Sequence, residues 1–110
     1  MSKLNEIITE DRGYRRGVPA ITCKDGYRIS VQASTHHYCL DANGQRGIFN
    51  DDKVALPFQS VECGFPSERP EPWAEWEQYA ESPERPTDTV YGFVPVSLVA
   101  DLIERHGGEA

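Results

Sequence analysis

The sequence predicts an α+β fold in which an N-terminal and a C-terminal helix pack on a three- to five-stranded, mainly antiparallel sheet. A tight-turn pair, Asp25-Gly26, separates two short apolar runs, as in a β-hairpin. The run after the turn alternates apolar and polar residues, which is typical of a strand buried on one face. Near the end of the chain, apolar residues recur at helical spacing. With 110 residues there is room for one core, so residues 1 to 110 are predicted to form a single domain.

Both predicted helices are amphipathic. Ser2 is a favoured capping residue, and the first helix is expected to run to about Asp11, before Gly13. Its apolar face would consist of Leu4, Ile7 and Ile8. The second helix follows Pro95 and is expected to close at Gly107, because glycine tolerates the left-handed conformation at helix ends. Its apolar face would consist of Leu98, Val99, Leu102 and Ile103.

The predicted strands account for most of the remaining apolar residues. The hairpin joins residues 20–23 to residues 27–33, and the second strand should bury Tyr27, Ile29, Val31 and Ala33. Further strands are predicted at residues 37–40, 58–65 and 89–94, with residues 41–57 as a loop or ragged hairpin. In the strand at 58–65 we expect the core face to be formed by Gln59, Val61, Cys63 and Phe65.

Composition restricts the class of protein. Residues 1–36 carry a net charge of +2 and residues 37–110 a net charge of −9, a balance that argues against direct nucleic-acid binding and suits a basic partner. No run approaches the ~20 apolar residues of a membrane span, and the first residues lack an apolar signal-peptide run. An odd number of cysteines without a CxxC pair indicates reduced thiols, and therefore the cytoplasm. The three are Cys23, Cys39 and Cys63.

Several blocks of the sequence resemble a group of small tailed-bacteriophage and prophage proteins without assigned function. The blocks cover residues 21–27, 30–34, 37–39, 61–62, 64–67, 87–95 and 106–108, which read ITCKDGY, SVQAS, HYC, VE, GFPS, TDTVYGFVP and HGG. The resemblance implies a phage or prophage origin and a location in the host cytoplasm, but no chemistry. Residues 41–57 make this chain longer than the pattern, so nothing is carried over to them.

Residue types suited to metal binding or catalysis occur between Ser34 and Cys39, but their spacing does not favour either role. His36 and His37 are adjacent, so on a strand they would face opposite ways, and a tetrahedral zinc site needs four ligands. No nucleophile elbow, zinc-protease helix or phosphate-binding glycine loop accompanies them. The sequence therefore predicts no cofactor, no metal and no catalytic residue, and the cysteines are interpreted as core residues.

The segment from residue 66 to residue 88 is the candidate site, since it carries seven acids, five prolines and three large aromatic residues. Arrayed carboxylates can occupy a basic channel in place of phosphates, and tryptophan and tyrosine are favoured interface anchors. The predicted contact residues are Glu71, Trp73, Glu75, Trp76, Glu77 and Tyr79. The alternative is that the rings cap the sheet while the acids form a solvated rim.

These features favour a non-enzymatic, phage-encoded accessory protein that binds a host protein or ribonucleoprotein complex with a basic surface. An antiviral defence complex such as a CRISPR surveillance complex is the expected target. Two alternatives stay open at this point. One is a phage assembly protein that self-associates, as a homodimer or larger, through an exposed strand edge. The other is a small metal or thiol enzyme.

Overall fold

The computed structural model describes residues 2–10, 18–46 and 54–110, which form a four-stranded antiparallel sheet and three α-helices. The strands are β1 (Ile21–Thr22), β2 (Arg28–Gln32), β3 (Ser60–Gly64) and β4 (Val90–Pro95), and they lie side by side in that order. The helices are α1 (Lys3–Thr9), α2 (Trp73–Trp76) and α3 (Val96–Arg105), with a 3-10 turn at Glu77–Tyr79. The predicted α+β class is therefore confirmed.

Both terminal helices lie where the sequence predicts them. The Ser2 side chain accepts a hydrogen bond from the backbone N–H of Asn5 at 2.9 Å, which caps α1. The helix ends at Thr9, two residues earlier than predicted, and the predicted ends at Asp11 and Gly13 lie outside the described residues. Helix α3 starts directly after Pro95 and is followed by Gly107 with a φ of +91°. In the described part of the chain, no helix has the length and apolar character to cross a membrane.

The core lies between the sheet and the terminal helices. The hairpin forms as predicted, with Ile21 opposite Ile29, and the four inward residues of the 27–33 run are all buried. They share one core with the buried face of α3, and α1 adds two more side chains. The buried residues from the helices are Leu4, Ile7, Val99, Leu102 and Ile103.

The strand predicted at residues 37–40 is wrong, because this segment consists of two bend residues followed by irregular backbone. Two of its backbone N–H groups bond to nearby carbonyls, those of Ser34 and His37, and the other two bond to side chains. Tyr38 donates to the Glu62 carboxylate at 3.0 Å, and Leu40 donates to the Ser60 hydroxyl at 2.9 Å. Such bonds compete with a strand ladder, so a short alternating run can be drawn into a loop.

The predicted core face of the third strand is half wrong. Val61 and Cys63 are buried as expected, but Gln59 precedes the strand and is exposed. Phe65 follows the strand with a φ of +49° and is 59% exposed, because this left-handed conformation interrupts the two-residue alternation. Phe58 is buried instead.

Strand β4 contains a bulge that decides where one aromatic ring points. Val94 lies opposite Val61 and Tyr91 lies opposite Cys63, so two residues of β4, Gly92 and Phe93, correspond to one residue of β3. Phe93 has a φ of +56°, and its ring is exposed. The bulge therefore turns Phe93 away from the core while its neighbours Tyr91 and Val94 stay buried.

Other segments cover both outer edges of the described sheet. Beside β1, the backbone N–H of Ala110 donates to Thr22 O at 2.8 Å, and Cys23 pairs with Glu109 in an antiparallel bridge. Beside β4, Ala80 pairs with Tyr91, and the adjoining residues are joined by a 3.0 Å backbone hydrogen bond. Self-association through these strand edges would have to displace the covering segments.

Candidate partner-binding surface

The predicted contact residues lie in α2 and in the 3-10 turn that follows it, except Glu71, which precedes the helix. Both tryptophans of the helix pack against Tyr91 of β4. The Trp76 and Trp73 rings meet the Tyr91 ring edge to face, with centroids 5.6 Å and 6.4 Å away. These contacts fix a short helix that four residues alone would not stabilise.

Trp76 is not available as a contact residue, because its side chain is fully buried. Trp73 and Trp76 are three residues apart and therefore share one side of α2, but only Trp76 is fully buried in the core. Trp73 is half-buried, with the Arg69 guanidinium 5.4 Å from its ring centroid. The two tryptophans therefore differ in role: Trp76 packs in the core, whereas Trp73 is partly exposed to solvent.

Two of the predicted glutamates, Glu71 and Glu75, line a cleft of about 280 Å³ between the α2 segment and α3. Helix α3 contributes two further carboxylates, Asp101 and Glu104, and also Arg105. We refer to this concavity as the acidic cleft, since four carboxylates face one guanidinium. Pro72 and Leu98 supply its apolar lining.

The α3 half of the acidic cleft was not predicted from the sequence. Leu98, Asp101 and Arg105 recur at spacings of three and four, so they can be assigned to one helix face. Nothing in the sequence, however, indicates that this face lies beside residues 71–75. Trp76 of α2 and the buried residues of α3 belong to the same hydrophobic core, which brings the two carboxylate pairs together.

One carboxylate of the cleft is already engaged. Glu71 accepts a hydrogen bond from Arg69 Nε at 2.8 Å and another from the backbone N–H of Trp73 at 3.1 Å. The bond from Arg69 is the main reason why the pKa of Glu71 is lowered. Among the described residues, Glu75, Asp101 and Glu104 form no ion pair. These three carboxylates are thus free to meet cations from outside.

The remaining predicted residues lie elsewhere. Glu77 is exposed and is not among the residues that line the acidic cleft. Tyr79 is half-buried and lines a second concavity, together with Tyr38 and Phe93. Of the six predicted contact residues, only Glu71 and Glu75 therefore line the acidic cleft.

The Ser34–Cys39 segment has the geometry of a packed loop. Ser34 is buried, its hydroxyl lies 2.6 Å from His37 Nδ1, and it accepts the backbone N–H of His36 at 3.1 Å. The Cys39 thiol donates to the Ser34 carbonyl at 3.1 Å. A hydroxyl enclosed in this way is not accessible to a substrate. Within residues 2–10, 18–46 and 54–110, no three His, Cys, Asp or Glu side chains are grouped to hold a metal ion.

The three thiols are likewise enclosed. Cys23, Cys39 and Cys63 are all buried and none forms a disulfide. Burial raises the pKa of the Cys63 thiol and, together with the nearby Asp25 and Glu109 carboxylates, that of Cys23. A raised pKa disfavours the thiolate, which is the reactive form. Their environment is that of core residues.

Comparison with known proteins gives no relative from which a function could be taken. No protein-family model matches the chain, and no similar protein is found among curated proteins or solved structures. Function is therefore argued from the acidic cleft and its surroundings.

Proposed function

We propose that the protein is a phage-encoded accessory protein that binds a basic surface of a host protein or ribonucleoprotein complex through the acidic cleft. The observation that carries the proposal is the convergence of Glu75, Asp101 and Glu104, which form no ion pair in the described part of the chain, on one concave site. These three carboxylates outnumber the one guanidinium that lines the cleft, that of Arg105, so the cleft keeps a negative potential that attracts an approaching lysine or arginine.

The composition of the cleft supports recognition of a long basic side chain. Its carboxylates would meet the charged head, while Leu98 and Pro72 offer apolar surface to the methylene stem. An ion pair at 4 Å contributes about 1 kcal/mol in bulk water and about 4 kcal/mol near a protein surface. Several such pairs would give an interaction that weakens as salt increases.

The proposed target is an antiviral defence complex, such as a CRISPR surveillance complex, in the host cytoplasm. Its nucleic-acid channel must be basic to hold phosphates, and clustered carboxylates would compete for the same cations. The phage origin comes from the sequence resemblance. Inhibition by occupancy requires a stoichiometric complex and no catalytic group on this chain.

Affinity purification from host cells tests the proposal. The tagged protein is recovered at moderate salt, the co-eluting proteins are identified by mass spectrometry, and elution is repeated at rising salt. We expect a nucleic-acid-processing or defence complex that dissociates as salt increases. The double variant Glu75→Lys/Asp101→Lys should weaken capture about tenfold or more, because two attractive contacts become repulsive.

A charge-matched control separates the cleft from net charge alone. Glu84→Lys/Asp88→Lys makes the same change in charge at two exposed positions outside the cleft and should retain the partner. Equal loss in both variants, with folding intact by circular dichroism, would remove the cleft from the proposal. Recovery of phage structural proteins alone, with concentration-dependent sedimentation, would favour the assembly alternative.

A further inference from the structure

A groove of about 460 Å³ lies where the bulge of β4 meets the residues after the 3-10 turn. We refer to it as the aromatic groove, because three rings line it, together with Gly92 and Glu81. The rings are those of Tyr38, Tyr79 and Phe93. The described residues that line the groove include a carboxylate but no lysine or arginine. Its volume is in the range of sites for small ligands or single side chains, roughly 300–1,000 Å³.

The backbone at Phe93 is distorted, and the distortion leaves the Phe93 ring exposed. Phe93 occupies the left-handed region, with a φ of +56°, which non-glycine residues adopt only when their surroundings hold them there. Its backbone N–H donates to Tyr38 O at 2.9 Å, and the two rings lie 6.0 Å apart. Bulges often re-aim a side chain beside a binding site, and this one places Phe93 in the groove wall.

The same rings already contact a guanidinium from this chain. The Arg46 guanidinium carbon lies 5.1 Å from the Tyr38 ring centroid and 5.5 Å from that of Phe93. Both distances fall within the ~6 Å typical of cation–π contacts. Arg46 is not among the residues that line the aromatic groove, whereas Tyr79 and Glu81 are.

We infer that the aromatic groove binds the side chain of an arginine residue of a partner protein. Its planar guanidinium would stack on Tyr79 and Phe93, with its charge near the Glu81 carboxylate. Arginine suits this site better than lysine, because a guanidinium is weakly hydrated and stacks on aromatic faces. That the arginine belongs to a basic partner protein rests on the proposed function. That the groove binds a guanidinium does not depend on it.

Nuclear magnetic resonance titration of the full chain tests the groove directly. The probe is N-acetyl-arginine N-methylamide, and the control is the N-acetyl-citrulline amide, which has the same shape without the charge. We expect saturable shifts of the Tyr79 and Phe93 ring resonances with arginine and several-fold weaker binding with citrulline. Equal binding of both probes would overturn the cationic assignment.

The chain supplies a matched control for Phe93. Phe65 is also an exposed phenylalanine with positive φ, but it lies outside the groove. Phe93→Leu and Glu81→Gln should weaken arginine binding about two- to fivefold each, as expected for loss of one exposed cation–π or charge contact. Phe65→Leu should leave it unchanged. Tyr79→Leu replaces Phe93→Leu if thermal unfolding shows that the latter is unfolded.

The location of the shifts separates this proposal from the proposed function. Shifts at Leu98 in the acidic cleft, with unmoved groove rings, would overturn the groove assignment and leave the proposed function standing. Shifts at Tyr79 and Phe93, combined with no capture of a basic partner from host cells, would support the groove and contradict the proposed function.

Discussion

The carboxylate of Glu109 accepts a hydrogen bond from the backbone N–H of Lys3 at 2.7 Å. A second bond, from Leu4 at 3.2 Å, involves its other oxygen. Backbone N–H groups in the first turn of a helix have no carbonyl partner within the helix, and a negative charge there also interacts favourably with the helix dipole. Because Glu109 pairs with Cys23 as well, one residue links α1 to the edge of the sheet.

Replacement of Glu109 by alanine is expected to lower the free energy of unfolding by about 1–2 kcal/mol, because two first-turn N–H groups lose an anionic acceptor. Glu109→Gln, which keeps an acceptor without the charge, should cost about half as much. Urea denaturation measures both. Glu84→Gln, at an exposed turn position, is the control and should have no effect. Wild-type stability in Glu109→Ala would show that the contact is dispensable.

Asp41 makes the stability of its loop dependent on pH. Its buried carboxylate accepts backbone N–H bonds from Asn43 at 2.8 Å, Gln45 at 3.0 Å and Ala55 at 3.3 Å. These bonds, that from Gln45 foremost, lower the pKa of Asp41 below its ordinary value of 3.8. The stabilisation is therefore complete above pH 3.8 and is lost as the pH falls through the lower folded-state pKa.

We expect Asp41→Asn to lower the free energy of unfolding by about 1–3 kcal/mol at pH 7, since an amide offers one acceptor oxygen in place of two. The difference from the parent protein should shrink below pH 3.8, because the unfolded state takes up the proton there while the folded carboxyl group does so only at lower pH. Denaturation at several pH values measures it. A difference that stays constant down to pH 2 would indicate that packing, and not the charge, is responsible.

The two tryptophans should respond differently to truncation. Trp76→Ala removes a fully buried ring and is expected to cost about 3–5 kcal/mol. Trp73→Ala removes a half-buried ring, and we expect a cost of about 1 kcal/mol. Thermal and denaturant unfolding compare them. Similar losses of unfolding free energy in both variants would contradict the assignment of Trp76 to the core and of Trp73 to the surface.

Gly92 is expected to be intolerant of alanine for a packing reason. A Cβ at this position would lie 3.3 Å from Tyr38 Cβ, so Gly92→Ala should displace the tyrosine and cost about 1–3 kcal/mol. Gly64→Ala is the matched control, because its nearest atom, Thr89 O, would be 3.9 Å away. Denaturation gives the cost, and near-ultraviolet circular dichroism reports on the tyrosine. Equal effects would mean that Tyr38 adapts freely.

Local patterns predicted those parts of the fold that depend on neighbours in sequence. The cap at Ser2, the turn at Asp25-Gly26 and the apolar face of α3 each depend on residues a few positions apart. The strand predicted at residues 37–40 failed because two of its four backbone donors bond to the side chains of Glu62 and Ser60, which are distant in sequence. Alternation over four residues cannot reveal such partners.

The candidate site was predicted in part for the same reason. The acidic and aromatic composition identified the segment that contains Glu71 and Glu75, but not the helix that faces it. The three-residue spacing of Trp73 and Trp76 likewise does not reveal that one ring is fully buried and the other half-buried, although both contact Tyr91. Burial within a shared helix face is decided by tertiary contacts.

The two tryptophans are the only ones in the sequence, and both lie within α2. Ultraviolet emission excited at the indole band therefore reports on this corner of the molecule alone. Trp73, whose backbone N–H bonds to Glu71, should change its emission when a ligand enters the acidic cleft, whereas the sealed Trp76 should shift only on unfolding. The chain thus carries its own optical reporter, able to distinguish occupancy from denaturation without an attached dye.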